Sequence, residues 1–186
     1  MKKALLILVV IAFACSRESH SPSAYSKKAA KKRAEETAAA PSTDVGATMP
    51  PFQATMLDGK PFDLSAERGK NVVFLNLWAT WCGPCRFEIP ELEKMHAKYA
   101  ARGFEVVGVS VDEGGAEAVT PFVKEQTIGY PIVLDPSGKI ANILQTTVLP
   151  TSVLIDRNGK IVWRRIGALM GSDATLDAAI EKALAK

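Results

Sequence analysis

The longest wholly apolar stretch of the chain comes first: residues 4–14 contain no polar side chain. A membrane-spanning helix needs about 20 apolar residues, whereas the core of an export signal needs roughly 7–15. With the basic pair Lys2-Lys3 ahead of it, the stretch predicts an export signal over residues 1–14. Residues 15–50 then lose all apolar periodicity. Serine dominates residues 16–26, Ala, Lys, Arg and Glu make up nearly all of 27–40, and Pro, Thr and Gly mark 41–51. The middle of this tract favours helix by propensity but has no apolar stripe to dock. It predicts a tether, followed by a domain over residues 51–186.

Within that domain the pattern changes. Residues 52–56 predict a short strand, Asp58-Gly59 a turn, and 60–64 a returning strand. Residues 71–78 (NVVFLNLW) form a β-branched apolar run, the mark of a central strand buried on both faces. A helix is predicted over 85–100, with Ile89, Leu92, Met95, His96 and Tyr99 on its packing face and a kink at Pro90. His96 therefore reads as structural. Residues 104–111 predict a second buried strand, 116–125 a helix interrupted by Pro121, 132–134 a strand, and 139–145 a turn or two of helix. Two strands, 151–155 and 161–165, flank the hairpin signal Asp156-Arg157-Asn158-Gly159-Lys160. A last helix, capped by Ser172, is predicted to run to about 185. Alternating strands and helices, then a hairpin and a helix, predict an α/β domain with a mixed central sheet covered by helices.

Composition narrows the function. The chain is 47% hydrophobic and 23% charged, with net charge +3. The excess lies at the N-terminal end, because residues 51–186 carry fifteen basic and sixteen acidic side chains. A nearly neutral domain offers no nucleic-acid surface. The basic run Lys27, Lys28, Lys31, Lys32 and Arg33 reads first as a solvated stalk, with anionic lipid or cell-wall polymer as the alternative partner. Three cysteines are too few for a disulfide scaffold. Only Cys15, His20 and His96 remain to complete a zinc site around Cys82 and Cys85, so no metal is expected.

The candidate chemistry is Cys82-Gly83-Pro84-Cys85. Cys82 falls where the strand ends and the helix begins. Unpaired N–H groups and the helix dipole favour a thiolate there, so Cys82 is the expected nucleophile and Cys85, one turn in, the resolving thiol. Gly83-Pro84 fixes the turn between them, and Trp78 and Trp81 flank it. Glu88, three residues past Cys85, shares its helical face. A partly buried carboxyl there suits proton exchange with the Cys85 sulfur, while a solvated first-turn glutamate is the plainer alternative. Arg86 is read either as a support for the Cys82 thiolate or as a solvated side chain.

Trp81-Cys82-Gly83-Pro84-Cys85 is the thioredoxin active-site motif, and the longer string from Asn76 to Pro90 (NLWATWCGPCRFEIP) resembles envelope thioredoxins of the TlpA/ResA type. The resemblance spans about residues 50–186. It extends to residues 106–112 (VVGVSVD), the region of the strand and helix that this group adds to the basic fold. It also takes in Leu149-Pro150-Thr151 with the following LIDRNGK. It implies a thioredoxin-like three-layer sandwich with a strand–helix insertion and a redox-active disulfide between Cys82 and Cys85. Pro150 should be cis and opposite the cysteines. Leu149 should offer backbone groups to an extended substrate, beside Thr151, Trp81, Gly83 and Pro84. Asn76 stands where cytoplasmic thioredoxins keep a buried acid, and Glu88 matches the acid of the envelope branch. Ala12-Phe13-Ala14-Cys15 resembles a lipoprotein cleavage site with Cys15 as the acylated residue, although Ala12 stands where an aliphatic residue is usual. The same bond fits ordinary signal peptidase.

The expected activity is thiol–disulfide exchange without a cofactor, reducing disulfides of exported proteins such as apocytochrome c. A membrane electron donor of DsbD/CcdA type is the expected source of electrons, and a lipid anchor the expected attachment. A peroxiredoxin-like peroxidase and a non-catalytic envelope binding module are the alternatives.

Overall fold

The computed structural model describes residues 43–186. The expected export signal, Cys15 as the expected anchoring residue, His20 and the basic tract expected to be a tether lie outside the described residues.

Seven strands form one sheet: β1 (Gln53–Met56), β2 (Pro61–Asp63), β3 (Val72–Trp78), β4 (Phe104–Ser110), β5 (Ile132–Leu134), β6 (Thr151–Ile155) and β7 (Ile161–Ile166). Their order across the sheet is β2-β1-β5-β4-β3-β6-β7. β3, β4 and β5 run parallel, joined by helices α1 (Gly83–Tyr99) and α2 (Gly115–Glu125), and the outer strands are antiparallel. Short α3 (Lys139–Ile143) precedes β6, and α4 (Ala174–Leu184) ends the chain. This is the expected α/β thioredoxin-like sandwich with a mixed sheet.

The period of two in a strand sorts β3 between the layers. Val72, Phe74 and Trp78 face the core beneath α1, α2 and α4, which Ile89, Leu92, Phe122 and Ile180 help fill. Val73, Leu75 and Leu77 face the opposite core, which Ile140, Leu144 and Phe52 close. All seven residues of β3 are buried, and each buried aliphatic side chain contributes about 1.5–3 kcal/mol. Gly108 on β4 is needed for close approach. A Cβ there would lie 2.9 Å from Trp78 Nε1 and from Ile132 Cδ1.

Three details differ from the sequence expectations. Pro121 does not interrupt α2, which runs on to Glu125; buried Val119 and Phe122 hold the helix against the sheet on either side of it. Asp173, not Ser172, caps α4, its Oδ1 accepting from the N–H groups of Thr175 and Leu176 at 2.9 and 3.1 Å. Packing also begins before residue 51. Met49 is 1% exposed, Thr48 bridges Lys160, and Arg164 donates to the Thr43 carbonyl at 3.0 Å. Among the described residues no helix is long and apolar enough to cross a membrane.

Candidate active site

β3 ends at Trp78 and α1 begins at Gly83, so Cys82 is the N-cap of α1. Cys82 and Cys85 form a disulfide with Cα atoms 5.3 Å apart. Cys82 is 5% exposed and Cys85 2%, so the sulfurs lie just beneath the surface. The Cys85 N–H donates to Cys82 Sγ at 3.3 Å. This is one of the N–H groups that a helix start leaves unpaired, and it stabilises charge on that sulfur once the bond opens. Pro84 sits within the first turn, where its missing N–H costs nothing.

Trp78 and Trp81 part company. Trp78 is buried in the core with its ring 5.3 Å from Phe122. Trp81 is 72% exposed beside Cys82. The Arg86 guanidinium lies over the Phe122 ring at 4.9 Å and so ties α1 to α2.

Glu88 is fully buried, on the face of α1 that looks onto β3. Its Oε1 accepts from Asn76 Nδ2 at 2.7 Å, and its Oε2 accepts from the Leu169 N–H at 2.9 Å. Asn76 donates also to Ser152 Oγ, its partner across β6, at 3.0 Å. Burial pushes the Glu88 carboxyl up to about 7, against the opposing pull of the Leu169 N–H, Asn76 and the Arg165 charge. It is therefore a buried acid and not a solvated first-turn glutamate.

The Leu149–Pro150 bond is cis. In the β3/β6 register Thr151 lies opposite Leu77, which puts Pro150 at the end of the sheet where Trp78 leads into the cysteines. Thr151 is fully buried, and its hydroxyl donates to the Val148 carbonyl at 2.7 Å. Its side chain thus shapes the proline loop instead of facing outward. Leu149 is half-buried and Val148 exposed.

Two groups of contacts escaped the sequence reading. The Gly167 N–H donates to the Pro150 carbonyl at 2.8 Å, so residues 167–169 tie the proline loop to Glu88. The available signal was Gly167 with Gly171, both at positive φ (97° and 77°). Asp112, two residues past the end of β4, accepts from Thr80 just ahead of Trp81-Cys82. Among the described residues no group of three or more His, Cys, Asp or Glu could hold a metal ion.

The arrangement suits a reversible dithiol–disulfide couple: one sulfur at a helix start, a second one turn in, and a buried carboxyl poised near neutrality three residues further along the same helix. The Redoxin family matches residues 44–180. The thiol-disulfide oxidoreductase ResA of Bacillus cereus is 40% identical over 123 residues, covering 66% of this chain and 70% of that protein. ResA of Bacillus subtilis (strain 168) is 37% identical over 117 residues, covering 63% and 64%. A proposed thiol:disulfide interchange protein DsbE from Chlorobium tepidum has a similar solved structure, with TM-score 0.71 and 36% identity, covering 77% of this chain and 99% of that one.

Proposed function

The chain belongs to the Redoxin family and, within it, to the ResA-like thiol–disulfide oxidoreductases, and from that premise we propose that it reduces disulfides of exported proteins at the cell envelope. The observation that carries the reading is the Cys82–Cys85 disulfide at the start of α1, with buried Glu88 one turn further on.

In the reduced enzyme Cys82 is the thiolate. It attacks one sulfur of the target disulfide, a mixed disulfide forms, and the departing target sulfur leaves as a thiolate that takes up a proton. Glu88 accepts the Cys85 proton, and the Cys85 thiolate attacks Cys82 Sγ. The target leaves as a dithiol carrying two electrons, and the enzyme is left with the Cys82–Cys85 disulfide. A membrane donor of DsbD/CcdA type restores the dithiol. Trp81, Gly83, Pro84 and the backbone of Leu149 line the approach, and cis-Pro150 keeps that edge open. Apocytochrome c is the narrower substrate assignment, which would place the enzyme in cytochrome c maturation.

Export fits the apolar run of residues 4–14, and acylation of Cys15 after cleavage would leave the domain on a basic tether. One acyl chain anchors only marginally, whereas several hold stably.

Insulin reduction by dithiothreitol, followed by turbidity, tests the exchange chemistry. The chain should accelerate it, and Cys85→Ser should accumulate mixed disulfides whose partners mass spectrometry identifies. No acceleration together with no trapped partner would overturn the reading. A strongly oxidising potential for the Cys82–Cys85 couple would overturn the reducing direction alone.

A further inference from the structure

The turn that delivers Cys82 to the surface is held by a buried acid from the segment that follows the neighbouring strand β4. Residues 79–82 form a tight turn closed by the Cys82 N–H donating to the Ala79 carbonyl at 3.1 Å. Thr80, at its second position, gives both of its donors to Asp112: its N–H lies 3.0 Å from Oδ2 and its hydroxyl 2.6 Å from Oδ1. The Ser110 hydroxyl donates to Oδ2 at 2.7 Å, and its oxygen accepts the Asp112 N–H at 3.2 Å. Asp112 is only 4% exposed. Every contact its carboxyl makes here is accepted, so both carboxyl oxygens are engaged by Thr80 and Ser110. The Val111 N–H continues the β3/β4 pairing by donating to the Trp78 carbonyl at 3.0 Å, which fixes the base from which Asp112 reaches across.

This accounts for a contrast within two residues. Ala79 is fully buried and Trp81 is 72% exposed. The chain must leave the core abruptly and still present Cys82 in one direction. The Cys82 N–H closes the turn on Ala79, but the Trp81 side chain projects outward and anchors nothing beneath it. The Thr80–Asp112 clamp supplies the anchor.

We propose that Asp112, acting through Thr80, is a positioning residue for thiol–disulfide exchange, setting the direction in which Cys82 meets the incoming disulfide and the helix-start N–H groups. Sulfur exchange needs a defined line of attack, and misplacement by about 1 Å can cost on the order of a hundredfold in rate. Asp112 clamps Thr80, two residues before Cys82, so losing the clamp alters how that sulfur meets the helix-start N–H groups as well as its aim.

The inference rests on the exchange activity proposed above, and wild-type turnover separates the two: without it that reading fails, whatever the variants do. With it, Thr80→Val, Thr80→Ser and Asp112→Asn are compared in the full chain. The readouts are the second-order rate of protein-disulfide reduction, the pH midpoint for alkylation of Cys82 in the reduced protein, and the melting temperature. Thr80→Val and Asp112→Asn should slow reduction about tenfold or more and displace the alkylation midpoint. Thr80→Ser, which keeps the hydroxyl, should stay within about twofold of wild type. A folded Thr80→Val protein with the wild-type rate and midpoint overturns the proposal, as does Thr80→Ser proving as impaired as Thr80→Val. If Asp112→Asn fails to fold, Thr80→Val decides, since it removes one hydroxyl at nearly constant volume.

Discussion

Burial of Glu88 bears on stability, and through the proposed proton transfer on chemistry. In an unfolded chain its carboxyl would ionise near 4.5, and burial moves it to about 7 in the folded protein. Between those values the folded chain retains a proton that the unfolded chain has released. Stability therefore falls as pH rises through that window and levels off above it. The full cost above pH 7 is on the order of 3 kcal/mol. Gln at this position would carry no such cost. It can still accept the Leu169 N–H, and Asn76 can turn its amide to accept from the new NH₂ group. Melting temperatures of Glu88→Gln should thus match wild type near pH 4.5 and exceed it increasingly up to pH 7. Its release of mixed disulfide should slow by about a hundredfold or more if the carboxyl takes the Cys85 proton. Parallel melting curves at all pH values would show that folding does not raise the Glu88 pKa, and unchanged release would remove its proton-transfer role.

At the scale of elements, the start of α4 shows how a local signal is decided by a distant residue. Ser172 and Asp173 are both good cap residues by type. Asp173 prevails because Arg165, on β7, holds its Oδ2 at 2.8 Å while Oδ1 serves the helix. Replacing Asp173 by Ala should cost about 1 kcal/mol in denaturant unfolding, and Ser172→Ala should cost almost nothing; the reverse order would restore Ser172 as the cap. The buried strands were legible because β3 and β4 are predominantly apolar and β-branched, broken only by Asn76 in the first and by Glu105 and Ser110 in the second, and Cys82, Cys85 and Glu88 because their spacing on a helix start is local. The cis state of Pro150 could be read only through resemblance, since no local pattern distinguishes it from a trans proline opening a strand. Asp112 was out of reach, because its partner Thr80 lies 32 residues away and meets it only once β3 and β4 pair. Pro121 misled for the opposite reason: local chemistry argues for a break, and packing of Val119 and Phe122 overrides it.

For the molecule as a whole, the point where the fold begins governs how the catalytic end is held. The Pro, Thr and Gly of residues 41–51 look like linker, yet from Thr43 onward the chain is part of the fold. Met49 fills the core on the α3 side of the sheet together with Phe52 and Ile161. Gly46 and Ala47 exchange backbone bonds with Ile161, at 2.7 and 2.9 Å, along the β7 edge. Arg164 reaches both the carbonyl and the hydroxyl of Thr43, at 3.0 and 2.6 Å. Its other nitrogen donates to the Leu144 carbonyl at 2.5 Å, so the same guanidinium holds the segment after α3 that leads to the proline loop. Removing residues up to 50 would therefore do more than shorten a linker. It would open the Met49 site, for which loss of a buried methionine side chain costs about 2–5 kcal/mol, and would leave one edge of the Arg164 contacts to water. A protein beginning at residue 43 should melt close to the full chain, whereas one beginning at residue 51 should melt markedly lower and reduce insulin more slowly under the same conditions. Equal melting temperatures for the two would mean that residues 43–50 only rest on the domain, and that its independent boundary lies at residue 51.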